Sequence, residues 1–202
     1  MLILASDGIT GKNLADYCKK NISVDKALFI ITALEDHKEN DFCVPRCINE
    51  LLQFSKQVDL FDFDNGDISV INDYDLICIS GGNVFYLLNA VKRSNAQSII
   101  DYFAKNKILI GWSAGACVLA DDLEIYYEFE PDDRFGKDFK GLSITDLQIM
   151  PHYSNYLHDF YMFEERIAEY EKRKNKKVIR ISDGDAIVVD GNKKIIISDR
   201  EL

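Results

Sequence analysis

Histidine, the side chain best suited to moving protons near neutral pH, occurs only three times in the 202 residues of this chain, as His37, His152 and His158. Any site that uses an imidazole must be built on one of them. Long apolar runs are also missing. No stretch approaches the roughly 20 residues that span a bilayer, and Leu2-Ile3-Leu4-Ala5 lacks the basic flank and longer apolar core of a signal peptide. Basic residues fall short of acidic ones, 24 Lys and Arg against 34 Asp and Glu, for a formal charge of −10. That surplus repels nucleic-acid phosphates and anionic membrane surfaces, which argues against both as partners and for a soluble cytoplasmic protein. The five cysteines, Cys18, Cys43, Cys47, Cys78 and Cys117, are an odd number without the spacing of a disulfide framework, and are expected as free thiols. Cys43 and Cys47 are spaced as a helical metal pair would be. No His or Cys cluster completes four ligands around them, so no metal or other cofactor is expected.

Apolar residues are plentiful, 47% of the chain with 11% aromatics, enough for a full core in a single domain over residues 1–202. Strand-like runs at Leu2 to Ala5, Ala27 to Thr32, Val58 to Phe63, Leu76 to Ser80 and Ile108 to Gly111 alternate with helical periodicity at Lys12 to Lys20, Val44 to Lys56, Val84 to Arg93 and Ala96 to Lys105. This alternation predicts an α/β three-layer sandwich with a mostly parallel central sheet and helices on both faces. Further along, Glu124 to Phe129 reads as a short strand, Glu130 to Gly141 as a polar loop and Asp146 to Met150 as another strand. Asp159 to Lys176 reads as one long helix, with Phe160, Phe163, Ile167 and Tyr170 along one face. Val178 to Ile181, Ala186 to Val189 and Lys194 to Ile197 then read as strands, the last two joined at Asp190-Gly191-Asn192 in a C-terminal hairpin that closes the domain.

The densest signal is Gly111-Trp112-Ser113-Ala114-Gly115-Ala116, set directly behind Ile108-Leu109-Ile110. It reads as a nucleophile elbow, a tight strand-to-helix turn whose small flanking residues lift a serine hydroxyl clear of the sheet. The N–H of Ala114, at the start of a buried helix running to Ala120, then points to where an oxyanion would form. Cys117 falls inside that helix and reads as a packing residue. A second glycine turn, Ser80-Gly81-Gly82-Asn83, follows another strand, and the Gly82 N–H is a sensible second arm of an oxyanion hole.

A serine hydroxyl is a poor nucleophile unless a histidine accepts its proton and an acid holds that histidine's tautomer. His37 lies in the charged segment Glu35-Asp36-His37-Lys38-Glu39, as a solvated side chain would. His152 follows Gln148-Ile149-Met150-Pro151 at the end of a strand, from which a side chain reaches the edge of a sheet, with His158 as its rival. The acid stays open on the residues alone. Asp121, Asp122, Glu124, Glu128, Glu130, Asp132, Asp133, Asp138 and Asp146 lie between Ser113 and His152, and Asp183 and Asp185 occupy a later turn.

Four segments together resemble the aspartyl dipeptidase (dipeptidase E) and cyanophycinase family of serine peptidases: Gly81-Gly82-Asn83-Val84-Phe85-Tyr86-Leu87-Leu88, the elbow Gly111 to Ala116, Pro151-His152-Tyr153, and Asp183-Gly184-Asp185-Ala186-Ile187. They occur in family order over nearly the whole chain. The resemblance implies a fold like that of class I glutamine amidotransferases, with Ser113 as nucleophile, His152 as general base and Asp183 in the place of the family's orienting glutamate. It implies Gly82 and Ala114 as the oxyanion donors, and Glu128 as second choice for the acid. Two departures stand out: Ser80 replaces the first residue of a glycine triplet, and Asp183 is one methylene shorter than the family's acid, which calls for a compensating backbone shift.

The expected activity is hydrolysis of short peptides, including dipeptides with N-terminal Asp, through an acyl-enzyme on Ser113. Arg134, Arg166 and Lys137 are the candidate cations for an acidic side chain, and Glu128, Glu130, Asp132 and Asp133 the candidate anions for a free amino group. The alternative is a catalytically inactive ligand-binding or sensor protein on the same scaffold. The expected partner is a small peptide, and a homodimer stays open as the assembly.

Overall fold

The structure, a computed structural model, describes residues 1–200. Along its strands, successive side chains enter two different apolar cores: Leu2 and Leu4 of β1 (Leu2–Ala5) join one and Ile3 and Ala5 the other. The same division holds for Leu28 and Ile30 against Ala27 and Phe29 in β2 (Val24–Ile30), and for Ile77 and Ile79 against Leu76 and Cys78 in β4 (Leu76–Ile79). A strand that is apolar on both faces must be covered on both faces. Helices α1 (Lys12–Asn21) and α2 (Val44–Leu51) therefore lie on one side of the sheet, and α3 (Val84–Ser94), α4 (Gln97–Asn106) and the later helices on the other.

With β3 (Ser55–Phe61), β5 (Ile108–Trp112), β8 (Ala186–Asp190) and β9 (Lys193–Ile197), the sheet has seven strands in the order β3-β2-β4-β5-β1-β8-β9. The first five are parallel, while β8 runs antiparallel to β1 and β9 antiparallel to β8. This is the α/β architecture expected, C-terminal hairpin included, with β9 as a partly exposed edge. The neighbours β4, β5 and β1 end together, so the residues just beyond them, Ser80-Gly81-Gly82, Ser113 and Ser6, gather at one rim of the sheet, where open α/β sheets bind ligands.

Several expected elements differ. Glu124–Phe129 is a helix, α6, after the short α5 (Ala114–Cys117). Ile125, Tyr126 and Phe129 are its buried residues, a helical spacing, and the Asp122 carboxylate accepts the Glu124 N–H at its start. The helix from Val44 stops at Leu51, because Ser55 already pairs with Val24 in β3. The long helix expected from Asp159 to Lys176 is the shorter α8 (Phe163–Lys174), which starts only after a break at which Met162 is left-handed, and an unexpected helix, α7 (Tyr153–Asp159), precedes it. Val178–Arg180 forms β7, which leaves the main sheet to pair in parallel with β6 (Gln148–Met150). No helix among the described residues is long and apolar enough to cross a membrane.

Candidate active site

Ser113 follows β5 with φ 47° and ψ −115°, outside the regions that ordinary residues prefer. Such a conformation costs about 1–3 kcal/mol and persists only where its surroundings enforce it. They do so here. Ser113 N–H donates to the Ala5 carbonyl (3.0 Å), and its own carbonyl accepts from Ala116 and Cys117 (2.9 Å each). The elbow closes this tightly because Gly115 has no side chain: a Cβ there would lie 2.2 Å from the Ile79 carbonyl oxygen.

His152 reaches Ser113 from the two-stranded sheet. In its parallel register Met150 of β6 faces Arg180 of β7, so the segments that follow, Pro151-His152 and Ile181-Ser182-Asp183, run side by side. His152 Nε2 lies 2.9 Å from Ser113 Oγ, and His152 Nδ1 lies 2.7 Å from Asp183 Oδ1. An ionised carboxylate only accepts, so the proton sits on Nδ1 and Nε2 is free to take the serine proton. The imidazole is mostly covered, 23% exposed, while the Asp183 carboxylate is 40% exposed.

Other contacts hold the acid in place. Ser6 Oγ donates to Asp183 Oδ1 (2.9 Å) and Asn155 Nδ2 to Oδ2 (2.9 Å). The turn that carries Asp183 is fixed by Ser182 N–H on Asp185 Oδ2 (2.9 Å) and Gly184 N–H on Asp7 Oδ1 (2.9 Å). Buried Asp185 is paired in turn with Arg200. The shorter acid thus reaches the imidazole with full hydrogen-bond contact.

Gly82 lies across the rim from the elbow with φ +126°, and a Cβ there would fall 2.1 Å from the Ala33 carbonyl oxygen, so glycine is required. The next residue, Asn83, caps α3 by accepting from the Phe85 and Tyr86 amides (3.0 and 2.9 Å). Among the described residues no group accepts from the amide of Gly82 or of Ala114.

The structure does not bring Glu128 to His152. Its carboxylate pairs instead with Arg173 of α8 (2.5 Å). His37 and His158 are exposed, and neither lines the cavities that hold Ser113. Cys117 is buried behind the elbow, where burial pushes its thiol up to about 12 and keeps it protonated. Cys43 and Cys47 sit at the start of α2 with thiols also raised by burial. Among the described residues no group of three or more His, Cys, Asp or Glu is arranged to hold a metal.

Two cavities meet at Ser113. One is walled by Val84, Ala114, Cys117, Tyr126, Phe129, Met150 and Tyr156, with Glu130 at its edge. Burial and the nearby Glu130 raise the Tyr156 phenol, which stays neutral and donates to Glu130 (3.2 Å). The other is a cleft of about 300 Å³ on the His152 side, walled by Leu34, Phe42, Trp112 and Ser80. Ser80 is 1% exposed and its hydroxyl has no partner among the described residues. Phe42 stands 94% exposed at the cleft's rim.

The charged candidates separate by their partners. Arg134 clamps Glu35 and Asp132 (2.6 Å to Asp132), Lys137 lies over the Tyr127 ring (5.6 Å), and Asp133 accepts from the Tyr127 phenol. Arg166 stacks on Phe129 at 4.2 Å and donates to the Glu128 carbonyl, without a carboxylate partner among the described residues. Glu130 likewise has no basic partner there. Sequence reasoning missed Ser6 and Asn155. The one available signal for Ser6 was its place immediately after the first strand.

Known proteins share this arrangement of chain. The pattern of peptidase family S51 matches residues 3–197. An uncharacterized peptidase of Pasteurella multocida is 30% identical over 139 residues, 65% of this chain and 67% of that one. A peptidase E of Shewanella baltica is 33% identical over 138 residues, 64% of this chain and 56% of its own length. The matched segment therefore spans little more than half of that relative. Among solved structures, that of a candidate peptidase E from Listeria monocytogenes superimposes with a TM-score of 0.73 at 21% identity, covering 97% of this chain and 96% of that one. A peptidase from an acI-B1 Actinobacterium gives 0.72 at 19% identity, with 98% and 87% covered. These two likenesses establish the fold.

Proposed function

The chain belongs to peptidase family S51, and from that premise we propose that it is a serine peptidase that cuts short peptides through an acyl-enzyme on Ser113. The observation that carries this reading is the unbroken contact from Ser113 Oγ to His152 Nε2 (2.9 Å) and from His152 Nδ1 to Asp183 (2.7 Å), at the strained residue of an elbow.

The steps follow from the geometry. Ser113 Oγ attacks the carbonyl carbon of the scissile amide while His152 Nε2 takes the hydroxyl proton, and Asp183 stabilises the imidazolium that results. The carbonyl oxygen becomes an oxyanion directed at the Gly82 and Ala114 amides, each donor of this kind being worth about 10²–10³ in kcat. The C–N bond then breaks, His152 returns the proton to the leaving amine, and a water deprotonated by the same nitrogen releases the acid and regenerates Ser113.

Proton delivery puts the leaving residue on the His152 side, in the cleft of Leu34, Phe42 and Trp112, and the acyl residue in the pocket of Tyr126 and Phe129. Unpaired Glu130 lines that second pocket, and Arg166 lies over the ring of its Phe129 wall. We assign Glu130 to the substrate's free amino group and Arg166, stacked on the Phe129 wall, to an acidic side chain. The substrate is then a dipeptide with N-terminal Asp.

A panel of Asp-Leu, Ala-Leu and N-acetyl-Asp-Leu tests this assignment. Asp-Leu is expected to be cut fastest, with Glu130→Gln and Arg166→Ala each raising its KM about tenfold or more. Equal rates for all three peptides would refute the assignment and leave the peptidase reading standing, whereas no cleavage of any short peptide would refute both.

A further inference from the structure

Ser6 lies just past the end of β1, fully buried, and its hydroxyl touches two members of the relay at once. Ser6 Oγ accepts from the His152 backbone N–H (2.8 Å) and donates to Asp183 Oδ1 (2.9 Å). A hydroxyl has one proton and two lone pairs. The amide occupies a lone pair, the carboxylate can only accept, and the direction of the chain from amide to hydroxyl to carboxylate is therefore fixed. Its end point, Oδ1, is the same oxygen that takes the His152 Nδ1 proton.

Two features make such a tie useful. His152 is left-handed, with φ 53°, a conformation that is unfavourable for a residue with a Cβ. Asp183 is 40% exposed, so water competes for its oxygens. Ser6 anchors both faults to the rigid end of a central strand, and its own N–H donates to the Asp185 carbonyl (3.1 Å) in the acid's turn. Without the hydroxyl, the backbone of His152 loses an acceptor and the carboxylate loses the donor that sets its rotation.

We propose that Ser6 is a positioning residue of the relay: its buried hydroxyl aims the Asp183 carboxylate at His152 and holds the His152 backbone in register with it. The proposal rests on the peptidase reading for its effect on rate, but its structural half stands without turnover.

The test is a cycle of Ser6→Ala, Asp183→Ala and the double variant, with Ser6→Thr as the form that keeps the hydroxyl. Ser6→Ala should lower kcat about 10- to 100-fold, the scale of a small misplacement of reacting groups, with KM within about twofold. In the Asp183→Ala background the same change should cost clearly less, because only its hold on the His152 backbone N–H is left to lose. Ser6→Thr should recover most of the rate. An equal fold-loss in both backgrounds, or kcat for Ser6→Ala within twofold of wild type, would overturn the proposal.

Proton NMR gives a second reading that needs no substrate. Wild type should show a strongly deshielded His152 Nδ1 proton, and Ser6→Ala should lose or broaden it. Its unaltered persistence overturns the proposal. That proton in a wild-type protein that cuts no peptide would instead count against the peptidase reading alone.

Discussion

The imidazole of His152 and the carboxylate of Asp183 meet because the strands before them, β6 and β7, pair in parallel with Met150 opposite Arg180. Parallel strands deliver the residues that follow them to the same end. A base and an acid 31 positions apart in sequence are thereby set 2.7 Å apart in space. The shorter aspartate needs no distortion of its own, since the turn that carries it is held by Asp7, Asp185 and Ser6.

Changing that acid should separate orientation from reach. In Asp183→Asn the amide can donate to Nδ1, which puts the imidazole proton on Nε2 and blocks it as a base, so kcat should fall roughly 10³- to 10⁴-fold. Asp183→Glu adds a methylene between a fixed turn and a ring already in contact, and about a tenfold loss is expected. Single-turnover rates with a cleavable dipeptide check both. An Asn variant within tenfold of wild type would show that the acid does not govern the tautomer.

Gly115→Ala should damage the fold before it reaches the chemistry. The added Cβ would meet the Ile79 carbonyl oxygen at 2.2 Å, and that oxygen belongs to a central strand that cannot retreat. Overpacking of this kind costs about 3 kcal/mol or more, a fall in Tm of roughly 6 °C or more at this chain length. Thermal unfolding followed by circular dichroism measures it, and an unchanged Tm would contradict the close approach of α5 to β4.

The clasp beside the site should respond to acid. Hydrogen bonds from Arg134, and then Asn83, hold the Asp132 carboxyl down at about 2. A group whose folded value is depressed stabilises the fold above its unfolded value and loses that contribution as pH falls through the folded one. Asp132→Asn should therefore lower Tm at pH 7, by about 1–3 °C given the exposure of Arg134, and the difference should close between pH 4 and pH 2. A constant difference across that window would show that the ion pair contributes nothing.

Local rules carried most of this site. The elbow was legible because glycine spacing, a preceding apolar strand and small residues after it are all consequences of one tight turn, and Gly82 and His152 were legible because each lies within three residues of a strand's end. Long-range pairing was not. Ser6 acquires its place only when β1 lies between β5 and β8, and Glu128 lost its place to Arg173, 45 residues away. In α6 the run Ile125, Tyr126, Tyr127 and Phe129 has the composition of a strand, yet burial of residues 125, 126 and 129 and the Asp122 carboxylate on the Glu124 N–H favour a helix. The apolar spacing through Phe160 and Phe163 hid the break at Met162, because both rings pack together although only Phe163 is helical.

The central claim is that His152 primes Ser113, and covalent labelling tests it most directly. A fluorophosphonate probe, followed by peptide mapping, should place a single adduct on Ser113 in wild type, abolish it in Ser113→Ala, and slow it about 10³-fold or more in His152→Ala. Labelling of Ser113 at an unchanged rate in His152→Ala, or an adduct on a different residue, would contradict the account.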